Sequence, residues 1–269
     1  MNLGRLCLIG AGNMGEALLK GLLDRGMLEP GDVTAAEKVA DRAEAIGRRY
    51  GIKVSASIAE AAASAAVVLL AVKPQDVEPA LAELKPVAAG KLLVSICAGV
   101  AVAKLEALLP AGTAVVRVMP NAPALAGCGA SVYCTNAHTG AEARARVEAL
   151  LAAVGDVHRV EKEGLLDAVT GLSGSGPAYA YLFLEALADG GVLMGLPRDL
   201  SRALAAQTLL GAAQMAKQGD HHTAELKDRV ASPGGTTIAG LRELERGGFR
   251  GAVVEAVRAA TLRSKELGG

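Results

Sequence analysis

Two glycine-rich stretches have the composition to hold anions. Gly10, Gly12 and Gly15 stand in G-x-G-x-x-G spacing, directly behind an apolar run and ahead of a helical pattern. In that context the first glycine permits a tight turn, the second lets backbone approach a pyrophosphate, and the third lets helix and strand pack closely. The helix N-terminus adds unpaired N–H groups and the positive end of its dipole. A dinucleotide is the expected ligand, in preference to a merely structural turn. The second stretch, Ser-Pro-Gly-Gly-Thr-Thr at residues 232–237, opens another helical pattern. It offers amides and hydroxyls to a small anion, but no phosphate-binding lysine follows its glycines. The residues alone leave the identity of that anion open.

Around the first stretch the choice of dinucleotide depends on Glu37, which follows the second apolar run. A carboxylate there hydrogen-bonds a free ribose 2′-hydroxyl and repels a 2′-phosphate, so NADH is favoured over NADPH. Lys38 and Arg42 lie one helical turn apart beside it and could instead neutralise a 2′-phosphate. A solvated helix start with mixed charges is the third reading, and all three stand. A further run, Gly-Leu-Ser-Gly-Ser-Gly-Pro at residues 171–177, carries Ser173 and Ser175 into a helix through Pro177. It reads either as a polar site or as a Ser-capped helix start. Lys73 ends a strand-like run and suits positioning better than proton donation. His138, His158, His221 and His222 fall outside every glycine-rich motif and read as surface residues.

These residues need a scaffold, and the chain supplies one by alternation. Residues 5–10, 32–36, 66–72, 91–97 and 113–119 are short and mostly apolar, as strands covered on both faces of a parallel sheet are. Helical patterns stopped by Gly or Pro separate them, so a doubly wound sheet follows. Residues 131–134 and 157–160, with a helix over 140–153 between them, extend that sheet at one edge. Beyond residue 160 the β signal disappears, and helices are expected over 176–195, 198–219, 223–230, 236–247 and 251–267. The expectation is an α/β Rossmann-type N-terminal domain, 1–161, with a mostly parallel sheet, then an all-α C-terminal domain, 162–269. The first of those helices is too uniformly apolar for so small a bundle to hide, so another subunit is expected to cover it.

Composition narrows the partners. The 28 Lys and Arg balance the 28 Asp and Glu, aromatics are 2% and Trp is absent, which argues against nucleic acid and anionic membranes. The expected ligand is a small molecule. Cys7, Cys97, Cys128 and Cys134 form no C-x-x-C pair and are expected as buried free thiols, with no metal site. Met1 leads into a strand-like run without a signal-peptide pattern, and residues 176–197 are interrupted by Glu185 and Asp189, so a cytoplasmic protein is expected.

The motifs together resemble pyrroline-5-carboxylate reductases over nearly the whole chain. The likeness runs in order through IGAGNMGEAL, AVKPQ, RVMPNAPALAGCGAS, DAVTGLSGSGPAYAYLFLEALADGGVLMGLPR and LKDRVASPGGTTIAGL. The resemblance implies reduction of the cyclic imine L-1-pyrroline-5-carboxylate to L-proline by NAD(P)H, the last step of proline biosynthesis. It makes the substrate carboxylate the anion of the C-terminal turn, held by Ser232, Gly235, Thr236 and Thr237, with the Thr237 hydroxyl facing the ring nitrogen as the catalytic group. Ser175 joins them as a substrate-binding candidate. Residues matching the cofactor contacts are Ile9, Gly10, Ala11, Gly12, Asn13, Met14 and Gly15, then Ala71, Val72, Lys73 and Pro74, then Ile96, Cys97 and Ala98. A homodimerising helical domain is implied, with five dimers assembling into a decamer.

This chain departs from many relatives in carrying Ile58 where they have an Asn near the adenosine ribose, and Ala36 where some have a Ser near the 2′-phosphate. Both departures weaken NADPH. Arg229 replaces an Asn near the substrate and either adds a contact to the carboxylate or stays on the helix surface. Chemistry supports the implied reaction independently: a protonated imine is already electrophilic and needs orientation and a dry pocket more than a strong base. A β-hydroxyacid dehydrogenase of the 6-phosphogluconate dehydrogenase type is the alternative, weakened because no lysine follows the Gly-Ser run before Lys217. A non-catalytic dinucleotide sensor would not need the amide-and-hydroxyl turn.

Overall fold

Strands form where the apolar runs are shortest and richest in Val, Leu and Ile, and in a computed structural model that describes residues 3–268 they all join one sheet. In chain order they are β1 (Leu6–Ile9), β2 (Val33–Ala36), β3 (Lys53–Ser55), β4 (Val67–Leu70), β5 (Leu92–Ser95), β6 (Ala114–Met119), β7 (Gly129–Thr135) and β8 (Gly155–Arg159). Their spatial order is β3-β2-β1-β4-β5-β6-β7-β8. All neighbours are parallel except β6 and β7, which run antiparallel. Helices α1 (Asn13–Asp24), α2 (Ala40–Tyr50), α3 (Ile58–Ala62), α4 (Val77–Leu84), α5 (Val102–Ala107), α6 (Ala141–Ala152) and α7 (Leu165–Val169) connect or follow the strands.

Wholly apolar strands still alternate. Leu8, Leu69 and Val94 pack on one face with Leu18, Leu19 and Leu22 of α1 and Leu150 and Leu151 of α6. Cys7, Ile9, Val68, Leu70 and Leu93 pack on the other with Ile58 of α3, Leu81 and Leu84 of α4 and Leu105 of α5. The two-residue side-chain period serves two cores at once. Each such buried side chain stabilises the fold by roughly 1.5–3 kcal/mol relative to exposure.

Several expectations need adjustment. The first, third and fourth strands end before residues 10, 72 and 97, because the chain there leaves the ladder for the loops above the sheet; Gly10, with φ at +88°, makes the first departure. Strand β3 and helix α3 lie outside the expected elements because three and five residues are too few to display a period. Helix α7 and the π-helical turn after it, Thr170–Gly174, also lie outside the expected helices. Cys128 is exposed rather than buried, since the loop beyond a short 3-10 turn carries it to the surface, whereas Cys7, Cys97 and Cys134 are buried.

By packing, the described residues up to Gly174 and from Ala260 onward make one compact unit, and Ser175–Ala259 make another. The second unit takes in α8 (Gly176–Leu193), α9 (Arg198–Lys217), α10 (Thr223–Arg229), α11 (Thr236–Arg246) and the first half of α12 (Phe249–Gly268). Its core is thin: among the described residues only Ala188, Ser201 and Ala205 are buried there. Helices α8 and α9 approach closely at Gly191, where an added Cβ would lie 2.7 Å from the Ser201 hydroxyl. The rings of Phe183 and Phe249 pack with centroids 5.5 Å apart, and the Tyr179 hydroxyl donates to the Ala256 carbonyl at 3.3 Å. Tyr181, Leu182, Leu193, Met194 and Val254 remain exposed. Among the described residues no helix is long and apolar enough to cross a membrane.

Candidate active site

In a doubly wound sheet ligands bind beyond the carboxyl ends of the strands, where the order reverses. Here β1 lies between β2 and β4, and a cleft of about 630 Å³ opens above their C-terminal ends. Ile9, Gly10, Ala11, Gly12, Asn13, Glu37, Ala71, Val72 and Lys73 line it together, as do Lys38, Arg42 and Ile58. Of the other expected cofactor residues, Met14 and Gly15 stand in the first turn of α1. Pro74 opens a 3-10 turn that Lys73 caps, and Ile96, Cys97 and Ala98 follow β5.

Packing requires glycine at positions 10 and 15. A Cβ on Gly10 would stand 2.8 Å from the Ala71 carbonyl oxygen, and one on Gly15 would stand 2.7 Å from that of Gly10. Gly12 differs, for a Cβ there would meet no atom within 4 Å. The protein itself therefore does not require glycine at 12; the open space beside it suits a pyrophosphate brought against the backbone at the uncapped N-terminus of α1.

Glu37 is the polar centre of the cleft. Its carboxylate is buried and accepts the Ala11 N–H at 3.0 Å and the Val39 N–H at 2.9 Å, with the Arg42 guanidinium at 3.4 Å. Burial pushes the carboxyl up, but the Val39 and Ala11 amides and the Arg42 charge outweigh it and hold the group below its ordinary value. One side chain thus braces the glycine loop while presenting negative charge to the cleft. Lys38 lies 4.0 Å from Glu83, so both neighbouring cations already face carboxylates. Ile58 and Ala36 also line the cleft, and Ile58 donates its N–H to Glu83 at 2.7 Å. The link from Glu37 to Ala11 spans 26 residues, and nothing in the local pattern signals it. Cys97 donates its thiol to the Val72 carbonyl at 3.2 Å, and burial pushes that thiol up.

The second candidate anion site belongs to the helical unit. Gly234 adopts φ of +66°, and the Gly235 N–H donates to the Ser232 carbonyl at 3.0 Å, folding the turn back on itself. A Cβ on Gly235 would press within 2.2 Å of the Ser232 hydroxyl and 3.1 Å of its carbonyl oxygen. Gly235 is the N-cap of α11 and no side chain caps the helix, so the first-turn amides of Thr236 and Thr237 are candidates to receive an anion. Ser232 and Thr236 are exposed and Thr237 is half-buried. A groove of about 470 Å³ beside the turn runs past Lys227, Gly235, Ile238 and Arg242. Of the expected substrate residues only Gly235 lines it. Arg229 is exposed at the end of α10, 3.5 Å from the His221 ring, and Ser175 is the N-cap of α8.

Comparison with known proteins decides the family. A reductase of Synechocystis sp. named pyrroline-5-carboxylate reductase is 46% identical over 98% of this chain and 98% of its own. The chain belongs to the pyrroline-5-carboxylate reductase family. The namesake of Mycobacterium tuberculosis is 44% identical over 98% and 97% of the two chains. Residues 163–267 match the family model described as pyrroline-5-carboxylate reductase dimerisation, and residues 5–99 match that described as NADP oxidoreductase coenzyme F420-dependent. Among solved structures, the Coxiella burnetii reductase superposes with a TM-score of 0.94 at 33% identity, covering 99% of each chain. The Plasmodium falciparum reductase with NADP bound does so with a TM-score of 0.88 at 35% identity, covering all of both. A Rossmann-like unit followed by a helical dimerisation domain is thus the architecture of this chain.

Proposed function

We propose that this chain reduces L-1-pyrroline-5-carboxylate to L-proline at the expense of NAD(P)H. Kinship with named reductases over 98% of the chain carries the reading, and the glycine cradle fits the dinucleotide. Gly10 to Asn13, Ala71 to Lys73 and the residues after β5 hold the cofactor, and Glu37 takes the ribose hydroxyls, giving NADH preference over NADPH. The bound reduced nicotinamide supplies a hydride. The chain's own task is positional. Amides of Thr236 and Thr237 and the Ser232 hydroxyl grip the substrate carboxylate, Gly235 shapes the turn through its own N–H bond to the Ser232 carbonyl, and Ser175 and Arg229 belong to the same reading. The Thr237 hydroxyl hydrogen-bonds the ring nitrogen, which gains the C=N electron pair as the carbon is reduced. An iminium substrate arrives already protonated, so no strongly shifted acid is needed.

The functional division falls at 161/162, and the helical domain dimerises, with five dimers forming a decamer in the cytoplasm. The test is the initial rate with each cofactor on the imine: consumption of reduced nicotinamide with proline formed in equal amount, faster with NADH. No proline from either cofactor overturns the reading.

A further inference from the structure

The π-helical turn Thr170–Gly174 leads into α8, and its Ser173 carbonyl is deprived of its helical donors. The residue four positions on is Pro177, which has no N–H, and the next N–H, that of Ala178, goes to the Ser175 carbonyl at 3.0 Å. Asn121 fills the gap. Its Nδ2 donates to the Ser173 carbonyl at 3.1 Å, while its Oδ1 accepts the Ala130 N–H at 2.8 Å. These two bonds require opposite ends of the carboxamide, so its orientation is determined. Asn121 is itself nine-tenths buried, just past the C-terminal end of β6, on the ligand-facing edge of the sheet. Met119 closes the other side, since a Cβ on Gly174 would lie 2.6 Å from its methyl carbon.

We propose that Asn121 is a positioning residue for imine reduction, supplying the hydrogen bond that Pro177 denies to Ser173 and so holding the turn from which Ser175 projects. The proposal rests on the reductase reading of the site, and Ser175 is the second residue beyond the pinned carbonyl. An unpaired, partly buried carbonyl is costly, so without Asn121 the turn relaxes toward a geometry that satisfies it elsewhere.

The test compares wild type, Asn121→Ala, Pro177→Ala and the double variant on imine and NADH. Asn121→Ala raises KM for the imine and lowers kcat/KM by about tenfold or more while NADH affinity stays near wild type; the thermal midpoint falls, since the Ala130 N–H also loses its acceptor. Alanine at 177 restores an N–H four residues from Ser173, so the double variant regains much of the loss. Wild-type kinetics in Asn121→Ala overturn the proposal, as does a loss that Pro177→Ala leaves unrelieved or that NADH affinity shares. Aggregation of both Asn121 variants makes the residue a folding element only and overturns it too. Wild-type turnover is the control: without it the reductase reading falls and takes the proposal with it.

Discussion

At Thr237 the proposed chemistry calls for a hydroxyl rather than a charge. In the proposed role, replacing it with alanine would remove a hydrogen bond to a group whose charge changes during reduction, an interaction of about 1.5–3 kcal/mol. Turnover is expected to fall roughly ten- to hundredfold. NADH affinity, measured by fluorescence titration, stays unchanged, because the dinucleotide cradle lies in the other unit. Glu37 invites two measurements. If Glu37 repels a 2′-phosphate as proposed, exchange for serine removes that charge and frees Arg42, and the ratio of kcat/KM for NADPH to that for NADH rises. Its carboxyl is held below the ordinary value, so its contribution to stability is present above that ordinary value and fades as pH falls through the folded value. Denaturant unfolding midpoints in that acid window are expected to drop more steeply for wild type than for Glu37→Gln. Parallel curves would remove the proposed brace between Glu37 and Ala11.

Among the elements, the start of α1 against the glycine loop is a tight contact. Gly15 lets the helix start against the loop it caps, since an added methyl group would lie only 2.7 Å from the Gly10 carbonyl oxygen and 3.0 Å from the Ala71 Cβ. Neither neighbour is the end of a flexible side chain, so Gly15→Ala must shift the helix start, at a cost of about 1–3 kcal/mol in stability by overpacking. The same shift misaligns the amides beside Gly12. Calorimetric unfolding and NADH titration together are expected to show a lowered midpoint and weakened cofactor binding. Unaltered affinity would mean that the loop tolerates a helix displaced from its strand.

For the whole molecule, the helical unit is incomplete alone. Its few buried residues cannot offset the ordering of five helical segments, whereas Leu182, Leu193, Met194 and Val254 lie exposed in the single chain. The dimerisation family model covers this stretch. Leu182→Glu, which puts a charge on the apolar α8, is expected to shift light-scattering mass toward the monomer and to make the thermal midpoint depend more on protein concentration. An unchanged mass would take Leu182 out of the interface.

Residue order by itself determined the alternation of strand and helix, the glycine spacing at 10, 12 and 15, and the turn at 232–237, because turns, caps and periodicity are written within a few residues. The strand ends expected at residues 10, 72 and 97 are too long, and β3 and α3 have no legible signal, since a segment of three to five residues is decided by the neighbours it pairs with. Only the tertiary structure brought Glu37 onto the Ala11 amide, separated by 26 positions, and Asn121 onto Ser173, separated by 52. Hydrogen bonds between distant segments depend on how two elements are brought to the same sheet edge, and no local pattern encodes that approach.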